Sequence, residues 1–265
     1  MPVYRLDLAW RGDGFAGWQV QPGQPTVQGA IEQALSRVCG GAPASVRAAG
    51  RTDAGVHAAH QVAAAEVAVA RPVEALHRGL LALLPPAVSV LDVQVAPEDF
   101  DPRAWSLEKH YRYRILTRRP RCPFRDGLVL HHPHRIDVER MARAAQDAVG
   151  RHDFSAFRAV GCGAAHAVRT IVAAQVSAAG DEVHIDVHGN GFLRHQVRIL
   201  AGTLLEVGEG RRGVDAVQQA LHARDRAAAG PTAPAHGLWL MRAAVGAGPR
   251  AGARPRTDEP PDDDG

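Results

Sequence analysis

The 265-residue chain is 46% hydrophobic, enough to bury a substantial core in one large domain or two smaller ones, and no apolar run nears the ~18 residues of a membrane-spanning helix. Three widely spaced cysteines (Cys39, Cys122, Cys162) make neither a disulfide framework nor a zinc site, and the N-terminal MPVYRLDLAW lacks the pattern of a signal peptide, so a cytoplasmic protein is expected. The formal charge of +3 hides an asymmetry: Gly246–Gly265 carry −2 and the rest +5, with Lys109 the one lysine beside thirty arginines, which admits a nucleic-acid partner without requiring one.

VYRLDLAW, residues 3–10, reads as a strand. TVQGAIEQALSRV reads as a helix, with Thr26 as N-cap, Val27, Ile31, Ala34, Leu35 and Val38 on one face, and Gly40 and Gly41 as its stop. After the segment GRTDAG comes an extended run, QVAAAEVAV. A second helix, VEALHRGLLALL, is entered from Pro72, aligns Val73, Leu76, Leu80 and Leu83, and stops at Pro85; the strand VSVLDVQV closes this half.

The second half opens with the alternating strand KHYRYRIL. A helix is expected over 138–149, from the cap Asp137 to Gly150. VRTIVAAQV and EVHIDVH form a hairpin across Gly180 and Asp181, with Val183, Ile185 and Val187 on one face. FLRHQVRILAGTLLEV is a long helix burying Leu193, Val197, Leu200 and Leu204, followed by a shorter helix around Val214–Leu221 and a last strand, LWLMRAA. Strand, helix, extended pair, helix, strand is thus met twice. That order predicts an α+β fold of two similar halves, each a mainly antiparallel sheet with helices on one side, the sheets joined around a central cleft. The halves are placed at 1–104 and 105–245, and 246–265 is expected to be a disordered tail.

Asp53 stands in Gly50-Arg51-Thr52-Asp53-Ala54-Gly55, where the glycines permit a tight bend that can hold a carboxylate at the floor of a cleft or simply turn the chain at the surface. Arg51 can pair with that carboxylate or reach a phosphate. Tyr111 and Tyr113, two apart on a strand, share a face, either as a core aromatic pair or as a stacking platform. Arg194 and Arg198 lie one helical turn apart after HGNGF, on a solvated face or, near a helix N-terminus, in reach of an anion. The histidines of HHPH (131, 132 and 134) have no regular ligand spacing, and no metal site is expected.

GRTDAGVHA, GFAGWQVQP, HRGLLALLP, KHYRYRI, HDFSAF, GNGFLRHQVRILAGTLLEVG and TAPAHGLWL together resemble the motifs of the tRNA pseudouridine synthase A family, over roughly Val3–Ala244. The resemblance implies the pseudouridine synthase fold and isomerisation of uridine to pseudouridine in the anticodon stem-loop of tRNA (tRNA uridines 38–40), by a homodimer, without metal or cofactor. It implies that Asp53 is the catalytic aspartate, Tyr111 stacks on the target base, Arg198 pairs with the aspartate, Arg51 helps displace the base and Leu238 forms pocket wall. Arg71, Arg103 and Arg194 are weaker candidates for RNA contact. Two departures bear on RNA contact: FDPRAW, which brings in Asp101, and Leu81 where the family commonly has asparagine.

A single carboxylate suits this isomerisation, which breaks the N1–C1′ bond and joins C5 to C1′ with nothing oxidised or lost. Addition to C6, attack on C1′ and removal of the C2′ proton are all open to it. A non-catalytic structured-RNA-binding protein is the alternative, which needs the basic surface but not Asp53. A glycoside hydrolase would require two carboxylates facing one bond.

Overall fold

The computed structural model describes residues 1–249. The chain is α+β, with five α-helices and mostly antiparallel strand pairing among the described residues. It divides into two compact units, Met1–Leu107 together with the chain from Leu240, and Glu108–Trp239. The tail expected over 246–265 lies outside the described residues from position 250 on.

In the first unit, β1 (Val3–Trp10) is followed by α1 (Val27–Val38), β2 (Ala44–Ala48), β3 (His57–Val67), α2 (Val73–Leu83) and β4 (Val88–Ala96). β1 pairs antiparallel with β3 and β4, and β2 adds to the far side of β3. Thr26 caps α1 as its sequence predicts, its hydroxyl accepting from the Gly29 amide at 3.2 Å. α1 and α2 pack together, burying Ile31, Leu35, Leu76 and Leu80 completely. β3 is buried on both faces, which explains its run of alanines. Its reverse face, with Val62 and Ala64, is covered by Phe100 and Trp105, whose rings meet edge-on at 5.2 Å. Asp101, between them, accepts from the amides of Arg103 (2.8 Å) and Ala104 (3.0 Å). FDPRAW is therefore a packed lid on β3 whose acid caps a turn. Leu81 is half exposed.

The second unit takes up the chain within β5 (Ser106–Leu116) and adds β6 (Leu130–His131), α3 (Val138–Gln146), β7 (Gly150–Asp153), β8 (Val168–Ala179), β9 (Glu182–Gly189), α4 (Gln196–Gly208) and α5 (Ala216–Ala223). The strand order is β5, β9, β8, β7, all antiparallel, and β6 pairs briefly and in parallel with β5. Asp137 caps α3 through the Arg140 amide at 3.0 Å. The β8–β9 hairpin closes at Ala179 opposite Glu182. β10 (Leu238–Val245) is the last described element, and from Leu240 it runs in the first unit beside β3.

The helix expected from Phe192 instead begins at Gln196. His195 adopts a left-handed φ of 62°, and the Gln196 side chain accepts from the Leu193 amide at 2.8 Å, so residues 192–195 form a separate approach to α4. Arg194 consequently does not share the helix with Arg198. α4 is buried nearly all round because a strap, Gly230–Gly237, runs along it. The Thr203 hydroxyl accepts from the Gly230 amide at 2.8 Å, and Arg198 and Ala233 exchange two bonds: Ala233 N–H to Arg198 carbonyl at 3.1 Å, Arg198 Nε–H to Ala233 carbonyl at 2.8 Å. At Gly202 the strap comes so close that a Cβ would lie 1.9 Å from the Pro231 carbonyl oxygen.

Gly202→Ala is expected to cost about 3 kcal/mol or more, a fall in melting temperature of roughly 6–12 °C for a chain of this size. Gly191→Ala, where nothing lies within 4 Å, should stay within roughly 2 °C of the parent. Equal melting temperatures for the two variants would overturn the packing of the strap on α4.

Candidate active site

The first group of candidate residues lies on the loop from β2 to β3. Asp53 is half-buried and Arg51 exposed. The Asp53 carbonyl accepts from the Val56 amide at 3.2 Å, closing a turn whose third residue, Gly55, has φ 78°. At its start the loop is tied to β3 by Gln61, fully buried, whose amide nitrogen donates to the Gly50 carbonyl at 2.7 Å. The segment Gly12–Trp18 holds its flank. The Trp18 amide donates to the Thr52 carbonyl at 3.0 Å and the Trp10 indole to the Val56 carbonyl at 3.1 Å, the two indoles packing at 5.4 Å.

Two glycines make this approach possible. A Cβ on Gly12 would stand 2.3 Å from the Val56 carbonyl oxygen, and one on Gly17, at φ 104°, would stand 2.8 Å from that of Thr52. His57, fully buried, accepts at Nδ1 from the Gly12 amide at 2.9 Å, which leaves its proton on Nε2. The backbone on either side of Asp53 is thus held by contacts beneath the loop.

The second group lies in the second unit. Tyr111 and Tyr113 share the buried face of β5, opposite Val187 and Ile185. Their surroundings differ. The Tyr113 hydroxyl donates to the Pro234 carbonyl at 2.9 Å, and Gly237 leaves no room for a Cβ, which would lie 2.6 Å from its ring. Burial pushes that hydroxyl well above the usual phenol range, against the opposing charge of Arg198, so Tyr113 is a protonated structural donor. Tyr111 meets Phe192 edge-on at 5.2 Å.

Arg198, in α4, has its Nε committed to the Ala233 carbonyl, which fixes the direction of its guanidinium. The strap that it grips leads directly into Leu238, which is buried. His236 on the same strap is held neutral by burial, an effect that Asp126 opposes and Arg198 reinforces.

Asp53 and Arg51 therefore share one loop of the first unit, and the strap joins Arg198 and Leu238 in the second, beneath the β5 strand that carries Tyr111. The weaker candidates stand on other segments. Arg71 lies by the C-terminal end of α1, an Nη 3.8 Å from where a Gly40 Cβ would be. Arg103 is exposed beside the Asp101 turn, and Arg194 lies on the approach to α4. Phe192 and His236 escape a reading by residue type, although both stand inside the quoted motifs. A cavity of about 900 Å³ lined by Arg119, His134, Arg135 and Glu182 among others holds none of the candidate residues. Among the described residues no cluster of three or more metal-ligating side chains occurs, and no helix is long and apolar enough to cross a membrane.

A family profile described as tRNA pseudouridine synthase matches residues 144–244. A tRNA pseudouridine synthase A of Myxococcus xanthus is 47% identical over 266 aligned residues, covering the whole of both chains. Proteins of the same name from Geotalea uraniireducens and Xanthobacter autotrophicus are 45% and 42% identical, across 91% of this chain and 98% of each relative.

Gly17→Ala is expected to loosen the Asp53 loop, speeding hydrogen exchange at the Trp18 and Val56 amides by roughly tenfold or more. Gly14 also has a positive φ, 85°, but nothing within 4 Å. Gly14→Ala should leave those amides unchanged. Equal acceleration by both variants would assign the effect to backbone strain and not to the contact with Thr52.

Proposed function

The chain belongs to the tRNA pseudouridine synthase A family, and on that footing we propose that it isomerises uridine to pseudouridine in the anticodon stem-loop of tRNA, with Asp53 as its single catalytic aspartate. The observation that carries the reading is the construction of the Asp53 loop: close-packed glycines, two indoles beneath and a buried glutamine at its start hold the backbone that bears one carboxylate. Family membership supplies the reaction, and the loop supplies the rigidity it requires, since a misplaced nucleophile or base loses most of its advantage.

In this reading Asp53 acts at the sugar–base junction and Arg198 is the cation that keeps it ionised. Tyr111 stacks on the uracil, and Leu238 closes the pocket wall so that the detached base turns without escaping. Arg51, exposed on the Asp53 loop, enters the space the flipped base leaves, offsetting part of the few kcal/mol that unstacking costs. The two halves are proposed to serve one uridine in a central cleft, in a cytoplasmic homodimer that needs no metal or cofactor. Arg71, Arg103 and Arg194 are proposed as further phosphate contacts, so binding should weaken as salt rises.

The test uses unmodified tRNA carrying tritium at C5 of uridine, since joining C5 to C1′ expels that hydrogen. Release by the native protein, its fall by ~10³-fold or more in Asp53→Ala and retained tRNA binding by both would establish the reading. Tight binding with no release from either protein would favour the non-catalytic RNA-binding alternative.

A further inference from the structure

The chain between β5 and β6 makes a loop over residues 117–127, TRRPRCPFRDG, with four arginines and a phenylalanine. Phe124 is 91% exposed, more than any other large apolar side chain among the described residues. Two of the arginines build the loop. Arg125 reaches the turn between β8 and β9, its two terminal nitrogens on the Asp181 carboxylate at 2.8 and 2.7 Å and one of them also on Glu182 at 2.7 Å. Arg118 pairs with Asp181 at 3.7 Å and donates to the Arg121 carbonyl at 3.2 Å. The Thr117 amide and hydroxyl both donate to the Asp181 carbonyl, at 2.9 and 3.0 Å. The Arg125 amide closes a tight turn onto the Cys122 carbonyl at 3.0 Å, and this turn, entered through Pro123, carries Phe124. A loop tied at so many points keeps the ring in water, where its apolar surface is unfavourable.

The other two arginines, Arg119 and Arg121, are exposed and enter none of the ion pairs that tie the loop. Arg119 also lines the cavity of about 900 Å³, together with His134 and Arg135. Glu182, the one acid of that lining, is buried and already paired. Burial opposes its ionisation, yet the guanidiniums of Arg114 and Arg125 bring its carboxyl down to about 2. Asp126 is the one acid of the loop itself. An exposed ring among uncommitted guanidiniums complements an unpaired base and its phosphates, because every base offers a π-face and every phosphate a negative charge. A protein partner would have to bring an apolar socket within an acidic surface, whereas tRNA, on which this family acts, carries both features along one chain. Leu116, at the end of β5 where the loop begins, lies roughly 17 Å along the strand from Tyr111. A base held by Phe124 is therefore a different one from the base that Tyr111 is proposed to stack.

We propose that this loop is a second RNA-binding site: Phe124 stacks on an unpaired base of the tRNA, and Arg119 and Arg121 hold the adjoining phosphates, one of them in the cavity that Arg119 and Arg135 line. The proposal rests on tRNA as the substrate and assigns no chemical step to the loop.

The test is the affinity of the full-length protein for unmodified tRNA, titrated at several salt concentrations, with melting temperature and sedimentation of the RNA-free protein measured alongside. Phe124→Ala should weaken binding about tenfold, while Phe124→Trp, which keeps a stacking face, should stay within about twofold of native. Val95→Ala, which trims another exposed apolar side chain, should bind as the native protein does. Replacing Arg119 and Arg121 together by glutamine should weaken binding and flatten its dependence on salt, by about 0.7 in the logarithmic slope for each arginine. Nuclease protection of an unpaired nucleotide should be present with the native protein and lost with Phe124→Ala. Native affinity in Phe124→Ala, or an equal loss in Phe124→Trp or Val95→Ala, would overturn the proposal. So would altered sedimentation of RNA-free Phe124→Ala, which would assign the ring to contact with a second copy of the chain. Tritium release, read in parallel, separates the two readings. Its absence from the native protein, with the Phe124 effect on binding intact, would remove the synthase reading and leave this site standing. Native release with unaltered affinity in Phe124→Ala would remove the site alone.

Discussion

Backbone laid directly against backbone, at spacings no Cβ tolerates, is the constraint on which both groups of candidate residues depend. It occurs where Gly12 meets Val56, where Gly17 meets Thr52 and where Gly202 meets Pro231. In the first two cases the segment held carries Asp53, and in the third it is the strap that leads to Leu238. Side-chain packing can relax by rotamer changes, but a contact between main chains cannot without moving an element. A segment set this way keeps its position while exposed side chains around it move.

Polar groups in the interior are used to fix these segments and not merely tolerated. Gln61, Thr203 and His57 are fully buried, and each is bonded to the backbone of a loop or strap: Gly50, Gly230 and Gly12 respectively. An unpaired group at any of these depths would cost about 1–3 kcal/mol. The arrangement therefore penalises conformations in which loop or strap lifts away, which links the stability of each unit to the geometry of its candidate residues.

Most elements were legible because their signals are local. Thr26 and Asp137 announce helix starts, Gly180–Asp181 announces a hairpin, and the alternation in KHYRYRIL gives a strand with Tyr111 and Tyr113 on one face. What escaped depends on partners distant in sequence. β2 is five residues without strong alternation and exists because β3 offers an edge, and β7 likewise leans on β8. The start of α4 is displaced to Gln196 by His195, a histidine in a left-handed conformation that hydrophobic spacing does not reveal. Asp101 looked like a charge misplaced against RNA because its sequence neighbours do not show that Phe100 and Trp105 fold back onto β3 and leave its carboxylate to cap a turn. The roles of Asp53, Tyr111, Arg198 and Leu238 came from resemblance, since residue type and spacing left a turn aspartate and a core tyrosine equally open.

The tyrosine pair shows how little distance along a strand separates scaffold from chemistry. Tyr113 and Tyr111 are two residues apart, on one face of one strand, and identical in composition. The strap reaches Tyr113: the Pro234 carbonyl accepts a hydrogen bond from its hydroxyl and Gly237 presses on its ring, so its hydroxyl is spent and its proton held. Tyr111 has Phe192 against its edge, and one step further along the same face stands the chain's single lysine. The strand supplies periodicity, and the strap decides where along it the side chains stop serving the core. Covering a tyrosine in this way disfavours its ionised form. The covering of β5 thus divides chemically equal residues into one that anchors the strap and one that packs against Phe192.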